Sequence, residues 1–192
     1  RYAATGLLCG EPLDPDGWHA LKCGVGGSRD ARHDELRDWH SATRKALTGT
    51  AAPTEQHVPA WDRTDPLTGR LEEAVLDLNL RDPVEGRLVH VDWSVTCEYS
   101  NYAPRRHARA HKDGLAAAQM GDVKRTRYPP VGGAELVPLV FETGGRPSDE
   151  AAAFIRSYSH DVSDDERGVV LGGLGRRLSR KVQIGSAEMV LS

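Results

Sequence analysis

The sequence predicts a mixed α/β domain with helices packed around one central sheet. Residues 74–96 have the pattern of two strands joined by a turn, and residues 136–142 form a further apolar run that a Thr-Gly-Gly turn ends. Segments with helical spacing precede and follow these strands. The predicted order is helix, three strands, helix, strand and two helices, which is typical of a mixed sheet.

The first predicted helix begins at Ser28 or Asp30 and ends at Gly49, a residue type that commonly terminates helices. Apolar residues recur along one face of this helix from Leu36 to Leu47. A short extended stretch follows at residues 54–61 and carries Glu55. It is the first of the three predicted strands.

The stretch at residues 74–96 has the clearest pattern in the chain. Leucines at 76, 78 and 80 alternate with other residues, and the segment from Val89 to Val95 alternates in the same way. Pro83 and Gly86 between the two halves are typical of a turn. Because strand side chains alternate faces, a hairpin would bring Asp77 and Asp92 to one side of the sheet. Two close carboxylates repel each other unless a cation or a shared proton lies between them, so the pair predicts a metal site.

The second half of the chain is predicted to add a helix, a strand and two further helices. The helix covers residues 105–124, and the strand covers residues 136–142, where Pro138 favours an edge position or a strand start. A helix at residues 148–159 follows. The last helix opens at the capping box of residues 163–166 and runs to about Val182.

The N-terminal segment is rich in loop residues and carries cysteine and histidine, the ligands that zinc prefers. A short segment with little apolar content has few other ways to hold a shape. The alternative is two reduced cysteines in a small core and two solvated histidines. A complete structural zinc set would be Cys9, His19, Cys23 and His33.

The composition and the charge distribution limit the classes of protein to which the chain can belong. The chain is 39% hydrophobic and 28% charged with a formal net charge of −3, which is ordinary for a globular domain. Positive charge is concentrated locally, in seven Lys/Arg against two acids at residues 105–127 and in a second group at residues 176–181. Such stripes suit phosphate contact, although a solvated helix face has the same composition. Three cysteines favour a reducing, intracellular compartment, and no run has membrane-spanning length. Because the chain begins at Arg1, we expect it to be a piece of a longer polypeptide.

Three acidic residues fall on three successive predicted strands, and the basic helix follows the third. These residues are Glu55, Asp77 and Asp92. Carboxylates with a nearby lysine suit Mg²⁺, which binds through one or two carboxylates and the phosphates of a substrate. The pattern therefore indicates metal-assisted hydrolysis of a phosphodiester.

Taken in order, these pieces resemble the PD-(D/E)XK nuclease fold, and in particular the restriction-like endonuclease domain C-terminal to the reverse transcriptase of non-LTR retrotransposons. The matching pieces are HALKC with RHDELRD, LDLNL, HVDWSVT, KRTRY and VPLVFETGG, between about Cys9 and Gly145. The resemblance implies a restriction-endonuclease-like core of helix, three strands, helix and strand. It also implies a zinc-knuckle-like segment at residues 1–34, the core at 35–146 and packed C-terminal helices at 147–192.

The same resemblance implies roles for single residues. Asp77 and Asp92 correspond to the two metal-holding acids, and Glu55 to an upstream glutamate. Ser94 stands where the motif has lysine, so Lys124 of the following helix is expected to replace it, with Lys112 as the second choice. The zinc set lacks the family's first cysteine.

The function that the resemblance implies is nicking of target DNA, with Mg²⁺ or Mn²⁺, so that the exposed 3′ end primes reverse transcription. The implied partners are DNA, the element RNA and a reverse transcriptase domain in the same polypeptide, in the nucleus and without a membrane. Two alternatives remain at this point. One is a non-catalytic nucleic-acid-binding module from a decayed element, and the other, weaker one is a small-molecule hydrolase.

Overall fold

The structure is a computed structural model, and it describes residues 9–12, 14–15, 17–25, 27–50, 52–82, 84–99, 109, 112–158 and 164–191. Its helices are α1 (Trp18–Lys22), α2 (Ser28–Thr48), α3 (Leu115–Arg127), α4 (Asp149–Ser157) and α5 (Asp164–Leu191). Its strands are β1 (Thr54–His57), β2 (Arg63–Thr64), β3 (Leu71–Glu72), β4 (Val75–Arg81), β5 (Leu88–Thr96) and β6 (Leu136–Glu142), and a 3₁₀ turn covers Pro59–Trp61.

The central sheet has four strands in the order β1-β4-β5-β6. The strand pairs β1–β4 and β4–β5 are antiparallel, whereas β5 and β6 are parallel. A parallel pair needs a crossover connection, and α3 lies in that connection. Strands β2 and β3 form a small separate hairpin between β1 and β4. The predicted mixed α/β class is therefore confirmed.

The sheet buries a different kind of surface on each face. One face carries the main apolar core, in which β4, β5 and β6 pack against α2, α4 and α5. Trp93 lies in this core and stacks on Phe141 at 5.4 Å between ring centroids. Asp92 alternates with Trp93, so its side chain lies on the other face, where the lysine of α3 reaches it. The fold thus places α3 over the polar face of β5.

The hairpin of β4 and β5 forms because its turn is held by side-chain contacts as well as by glycine. Asp82 Oδ1 accepts hydrogen bonds from the backbone N–H groups of Val84 and Glu85, each at 2.8 Å. Gly86 adopts φ 68°, a left-handed conformation that favours glycine. Pro83, the other predicted turn residue, lies outside the described residues.

Most predicted elements appear close to their predicted bounds. Helix α2 ends where Gly49 adopts φ 72°, and β6 covers the predicted strand with Pro138 on an edge strand. The last helix is longer than predicted, because it continues past Val182 to Leu191. Its extra turns bury Ser186 and Met189 on the face that already buries Val182. The predicted capping residue Ser163 lies outside the described residues.

Helix α3 begins later than the sequence predicted. It starts at Leu115, after Gly114 at φ 72°, and residues 100–108, 110 and 111 lie outside the described part of the chain. At the N-terminal side, the predicted domain boundary at 34/35 falls inside the continuous helix α2. Within the described residues, no helix has both the length and the apolar character needed to cross a membrane.

Candidate functional site

The two aspartates lie where strands β4 and β5 separate. Regular pairing of these strands includes Leu78 opposite Val91, and the next position in that register would set Asp77 opposite Asp92. At that position a side-chain contact takes the place of a backbone hydrogen bond between the strands. The Oδ2 of Asp77 accepts a 2.5 Å hydrogen bond from the backbone N–H of Trp93. The separation of the strands therefore admits a carboxylate beside Asp92.

Asp77 is a buried carboxylate with two donors. Besides the Trp93 N–H, its Oδ2 contacts Nε2 of His33 at 3.1 Å. Burial disfavours the charged carboxylate, but the His33 contact and the Trp93 hydrogen bond outweigh burial and lower the pKa of Asp77. In turn, the hydrogen bond to Asp77 raises the pKa of His33 against the opposing effect of burial. The two form an ion pair at pH values between their pKa values.

Asp92 is the partner of Lys124. The Lys124 ammonium donates to Asp92 Oδ2 and also to the backbone carbonyl of Trp93 at 3.1 Å. Burial raises the pKa of Asp92, the lysine contact offsets this only in part, and the neighbouring Asp77 carboxylate adds to the rise. The neighbouring aspartates thus have pKa values shifted in opposite directions.

The C-terminal end of α3 is fixed in place by the 3₁₀ turn beside it. Arg127 Nη1 donates to the Trp61 carbonyl at 2.8 Å, and Trp61 Nε1 donates to the Pro129 carbonyl at 2.6 Å. The Trp61 ring lies 5.4 Å from those of Tyr128 and His90. These contacts hold the last turn of α3, and with it Lys124, against the polar face of β5.

His33 does not lie where the sequence predicted it. It was expected to be the fourth zinc ligand, but it lies on the face of α2 that turns toward the sheet and contacts Asp77. Leu36 and His40, three and seven residues further along, are buried on the same side. That helical spacing was the feature of the sequence from which this placement could have been inferred, because it groups His33 with core positions.

Glu55 is the one predicted acid that the structure leaves at the edge. Its side chain is 65% exposed, and its Oε1 forms an ion pair with Arg37 Nη1 at 2.7 Å. Glu55 has φ 52°, which is uncommon for a residue other than glycine and interrupts the regular strand. Although β1 pairs with β4 on either side of it, Glu55 is turned to Arg37 instead of joining the two aspartates.

Lys112 and Ser94, the two other positions considered for the catalytic lysine, both line cavities. Lys112, the second choice for the lysine, lines a cavity of about 510 Å³ between α3 and α4, together with Asp113 and Arg146. Ser94 faces a smaller cavity that His33 also lines. Of the two candidate lysines, Lys124 is therefore the one beside Asp92.

Three of the four predicted zinc ligands come together. Cys9 Sγ lies 3.2 Å from His19 Nε2 and 3.4 Å from Cys23 Sγ. The ligand atoms of all three residues lie within 4.8 Å of one another, so the group could bind a metal ion. Asp14 holds the histidine's helix, because its Oδ1 accepts from Trp18 N–H and its Oδ2 from His19 N–H.

The acidic pair offers the kind of donor set that a hard divalent cation prefers. Asp77 and Asp92 contribute carboxylate oxygens, and the Trp93 carbonyl is adjacent. The Lys124 ammonium contacts both the Asp92 carboxylate and this carbonyl, so the two oxygens face the same positive group. These oxygens are of the type that Mg²⁺ or Mn²⁺ prefers as ligands.

Replacing Lys124 with methionine is expected to raise the pKa of Asp92 further. The ammonium is the group that opposes the effect of burial, and methionine keeps a similar stem without the charge. Carbon-detected NMR of the aspartate carboxyl groups across a pH titration would measure the change. Lys112→Met is the matched control, and an equal Asp92 titration in wild type and Lys124→Met would contradict the assignment.

No protein-family profile matches the chain, and no curated protein is significantly similar to it.

Proposed function

We propose that the chain is a metal-dependent DNA endonuclease domain that hydrolyses a phosphodiester at the Asp77–Asp92 pair. The observation that carries this proposal is the convergence of three groups on one point. The buried carboxylate of Asp77 and the partly buried carboxylate of Asp92 are neighbours where β4 and β5 separate, and a lysine from the crossover helix contacts Asp92. Buried like charges beside a cation are typical of catalytic sites.

The order of elements supports the PD-(D/E)XK class of nuclease. A helix, three antiparallel strands, a crossover helix and a parallel strand occur in that order, as α2, β1, β4, β5, α3 and β6. We further propose that the domain belongs to a retroelement polypeptide and nicks target DNA in the nucleus for target-primed reverse transcription. The partners would then be target DNA, element RNA and the reverse transcriptase domain. This part of the proposal rests on the sequence resemblance.

Each residue at the pair has a distinct role in the proposed reaction. Asp77 and Asp92 would hold Mg²⁺ or Mn²⁺, with the Trp93 carbonyl as an additional oxygen ligand. A bound ion of this kind lowers the pKa of a bound water and stabilises negative charge on a phosphate oxygen. Lys124 would position the attacking water and offset charge on the phosphate. The imidazolium of His33 competes with a cation for Asp77, so cation binding favours release of the His33 proton.

A plasmid-nicking assay with Mg²⁺ or Mn²⁺ tests the proposal. Supercoiled plasmid should convert to the open circle when metal is added, and the conversion should weaken as salt rises. DNA binding without any cleavage would instead support a non-catalytic nucleic-acid-binding module. Hydrolysis of small phosphodiesters with no action on DNA would support the small-molecule hydrolase.

We also propose that the group of Cys9, His19 and Cys23 binds structural zinc. Purified protein is expected to contain about one zinc per chain, since thiolate and imidazole are the ligands that zinc prefers. Cys23→Ser should lose the zinc and lower the melting temperature, as measured by metal analysis and calorimetry. Cys97→Ser is the matched control, because Cys97 is buried after β5 and lies outside the group. Wild-type protein without zinc would refute the site.

A further inference from the structure

A cavity of about 360 Å³ lies beside the acidic pair, between the start of α2, the end of β5 and α3. His33 belongs to its wall and also contacts Asp77, so the cavity adjoins the proposed catalytic centre. Ser94, two residues after Asp92 on the same face of β5, lines it as well. Of the described residues, those that line the cavity are Arg29, Asp30, Arg32, His33, Ser94, Val95 and Met120.

Arg32 is an unusual member of this wall, because it is 4% exposed and its charge is not balanced by a carboxylate in the part of the chain that the structure describes. Its Nη1 donates to Ser186 Oγ at 2.9 Å, while its Nε is buried and has no hydrogen-bond partner among the described residues. A buried cation with an unsatisfied donor is costly to folding. Such a group is expected to have a ligand that the described residues alone do not provide.

Helix α5 is shaped to hold Arg32 in this place. A Cβ at Gly185 would lie 2.7 Å from Cγ of Arg32, so only glycine allows this approach. The next residue, Ser186, accepts the hydrogen bond from the guanidinium. Two successive residues of α5 thus fix the arginine side chain against α2.

The charge of the surroundings points to an anion on the side of the acidic pair. Arg29 lines the same cavity as Arg32, and Asp30, the acid among the described lining residues, lies 3.8 Å from Arg29. On the other side of Arg32, a cavity of about 200 Å³ carries Glu35 and Glu188. Glu35 pairs with Lys181 there, and Glu188 adds a further negative charge, so that side suits an anion less well.

We propose that Arg32, assisted by Arg29, binds a backbone phosphate of the DNA strand held at the acidic pair, next to the phosphate that is cut. A guanidinium donates two parallel hydrogen bonds to phosphate oxygens, which matches the free Nε–H of Arg32. Ser94 lines the same cavity, and its hydroxyl would be a further donor to that phosphate. This inference rests on the proposed endonuclease function and adds a positioning residue to it.

The Nε–H resonance of Arg32 tests phosphate contact without any cleavage. It is assigned as the resonance that Arg32→Met removes, and it is followed by NMR in protein without added divalent metal. Inorganic phosphate and a short DNA duplex should both shift it in a saturable way, the duplex at lower concentration. If neither inorganic phosphate nor the duplex shifts this resonance, the inference is wrong. If only inorganic phosphate shifts it, the cavity binds a free anion and not a DNA phosphate.

Variants test the consequence for DNA. Arg32→Met keeps the aliphatic stem and should weaken duplex binding about 10- to 100-fold, raise KM more than it lowers kcat, and reduce the salt slope by about one. Arg32→Lys should regain part of the loss, and Arg87→Gln, at the other end of β5, should behave as wild type. The melting temperature of Arg32→Met should not fall. A lower melting temperature with unchanged DNA affinity would mean a purely structural arginine.

The two proposals fail in different ways. Wild-type protein that cuts no DNA, but whose Arg32 resonance shifts with duplex, would refute the endonuclease and support the phosphate contact. Wild-type protein that cuts DNA while Arg32→Met binds and cuts equally well would refute the phosphate contact alone.

Discussion

Replacing Asp92 with asparagine is expected to lower Mg²⁺-dependent DNA nicking by about 1,000-fold or more. A metal ion contributes several kcal/mol to the transition state, and each ~1.4 kcal/mol corresponds to a tenfold rate change. Asparagine has nearly the same shape but no charge, so it should weaken metal binding without leaving a cavity. It also removes the anionic partner of Lys124. Rates of plasmid nicking under saturating DNA would measure the loss.

Asp38→Asn is the matched control for this variant, because Asp38 lies on the exposed side of α2 and is 64% exposed in its side chain. It should nick at the wild-type rate. Asp77→Asn should resemble Asp92→Asn, because both carboxylates would hold the ion. Nicking by Asp92→Asn at the rate of the control would show that any observed cleavage arises elsewhere, on the protein or in a contaminant.

Acid is expected to destabilise the fold through His40. This imidazole is fully buried, and burial, with the nearby charge of Arg44, lowers its pKa from 6.5 to about 3. Trp93 Nε1–H donates to its Nδ1 at 3.1 Å, so the neutral ring carries its proton on Nε2, which faces the Tyr158 hydroxyl. The neutral form is the one that the fold stabilises.

The sign of the pH dependence follows from that pKa. A histidine whose pKa is lower in the folded state than in the unfolded state stabilises the fold at pH values above 6.5. This contribution is lost as the pH falls from 6.5 toward 3. On going from pH ~6.5 to pH ~5, the free energy of unfolding should fall by about 2 kcal/mol, because one pKa unit corresponds to about 1.4 kcal/mol. That is a large part of the ~5–15 kcal/mol typical of a domain.

Urea unfolding at several pH values would measure this loss, and His40→Gln isolates it. Glutamine can accept from Trp93 Nε1–H and does not titrate, so the variant should lose about 2 kcal/mol less over the same pH range. His90, whose pKa burial lowers, changes stability in the same direction, and His33, whose pKa is raised, changes it in the opposite one. Parallel pH profiles in wild type and His40→Gln would exclude His40 as the source.

The hairpin could be predicted from sequence because strand periodicity is local. The short turn at Asp82 and Gly86 fixed the register in which Leu78 and Leu80 of β4 share the core face with Val91 and Val89 of β5. That register set Asp77 next to Asp92. The local sequence pattern was therefore sufficient to predict that the two carboxylates are neighbours. The separation of the strands and the Trp93 N–H contact depend on tertiary geometry.

The partners of the two aspartates depend on how helices pack, which sequence periodicity does not encode. His33 pairs with Asp77 across 44 positions of sequence, because α2 is rotated to bury Arg32, Leu36 and His40. Lys124 was expected beside Asp92 only through the family resemblance. Glu55 turned away because its backbone adopts φ 52°, a conformation that strand propensity does not foresee.

The central claim is that Asp77 and Asp92 together hold one divalent metal ion. Calorimetric titration of the protein with Mn²⁺, after zinc has been quantified, tests it most directly. We expect one saturable Mn²⁺ site per chain in wild type, which Asp77→Asn and Asp92→Asn both abolish and Asp38→Asn retains. Mn²⁺ binding that is unchanged in both aspartate variants, or absent from wild type, would contradict it.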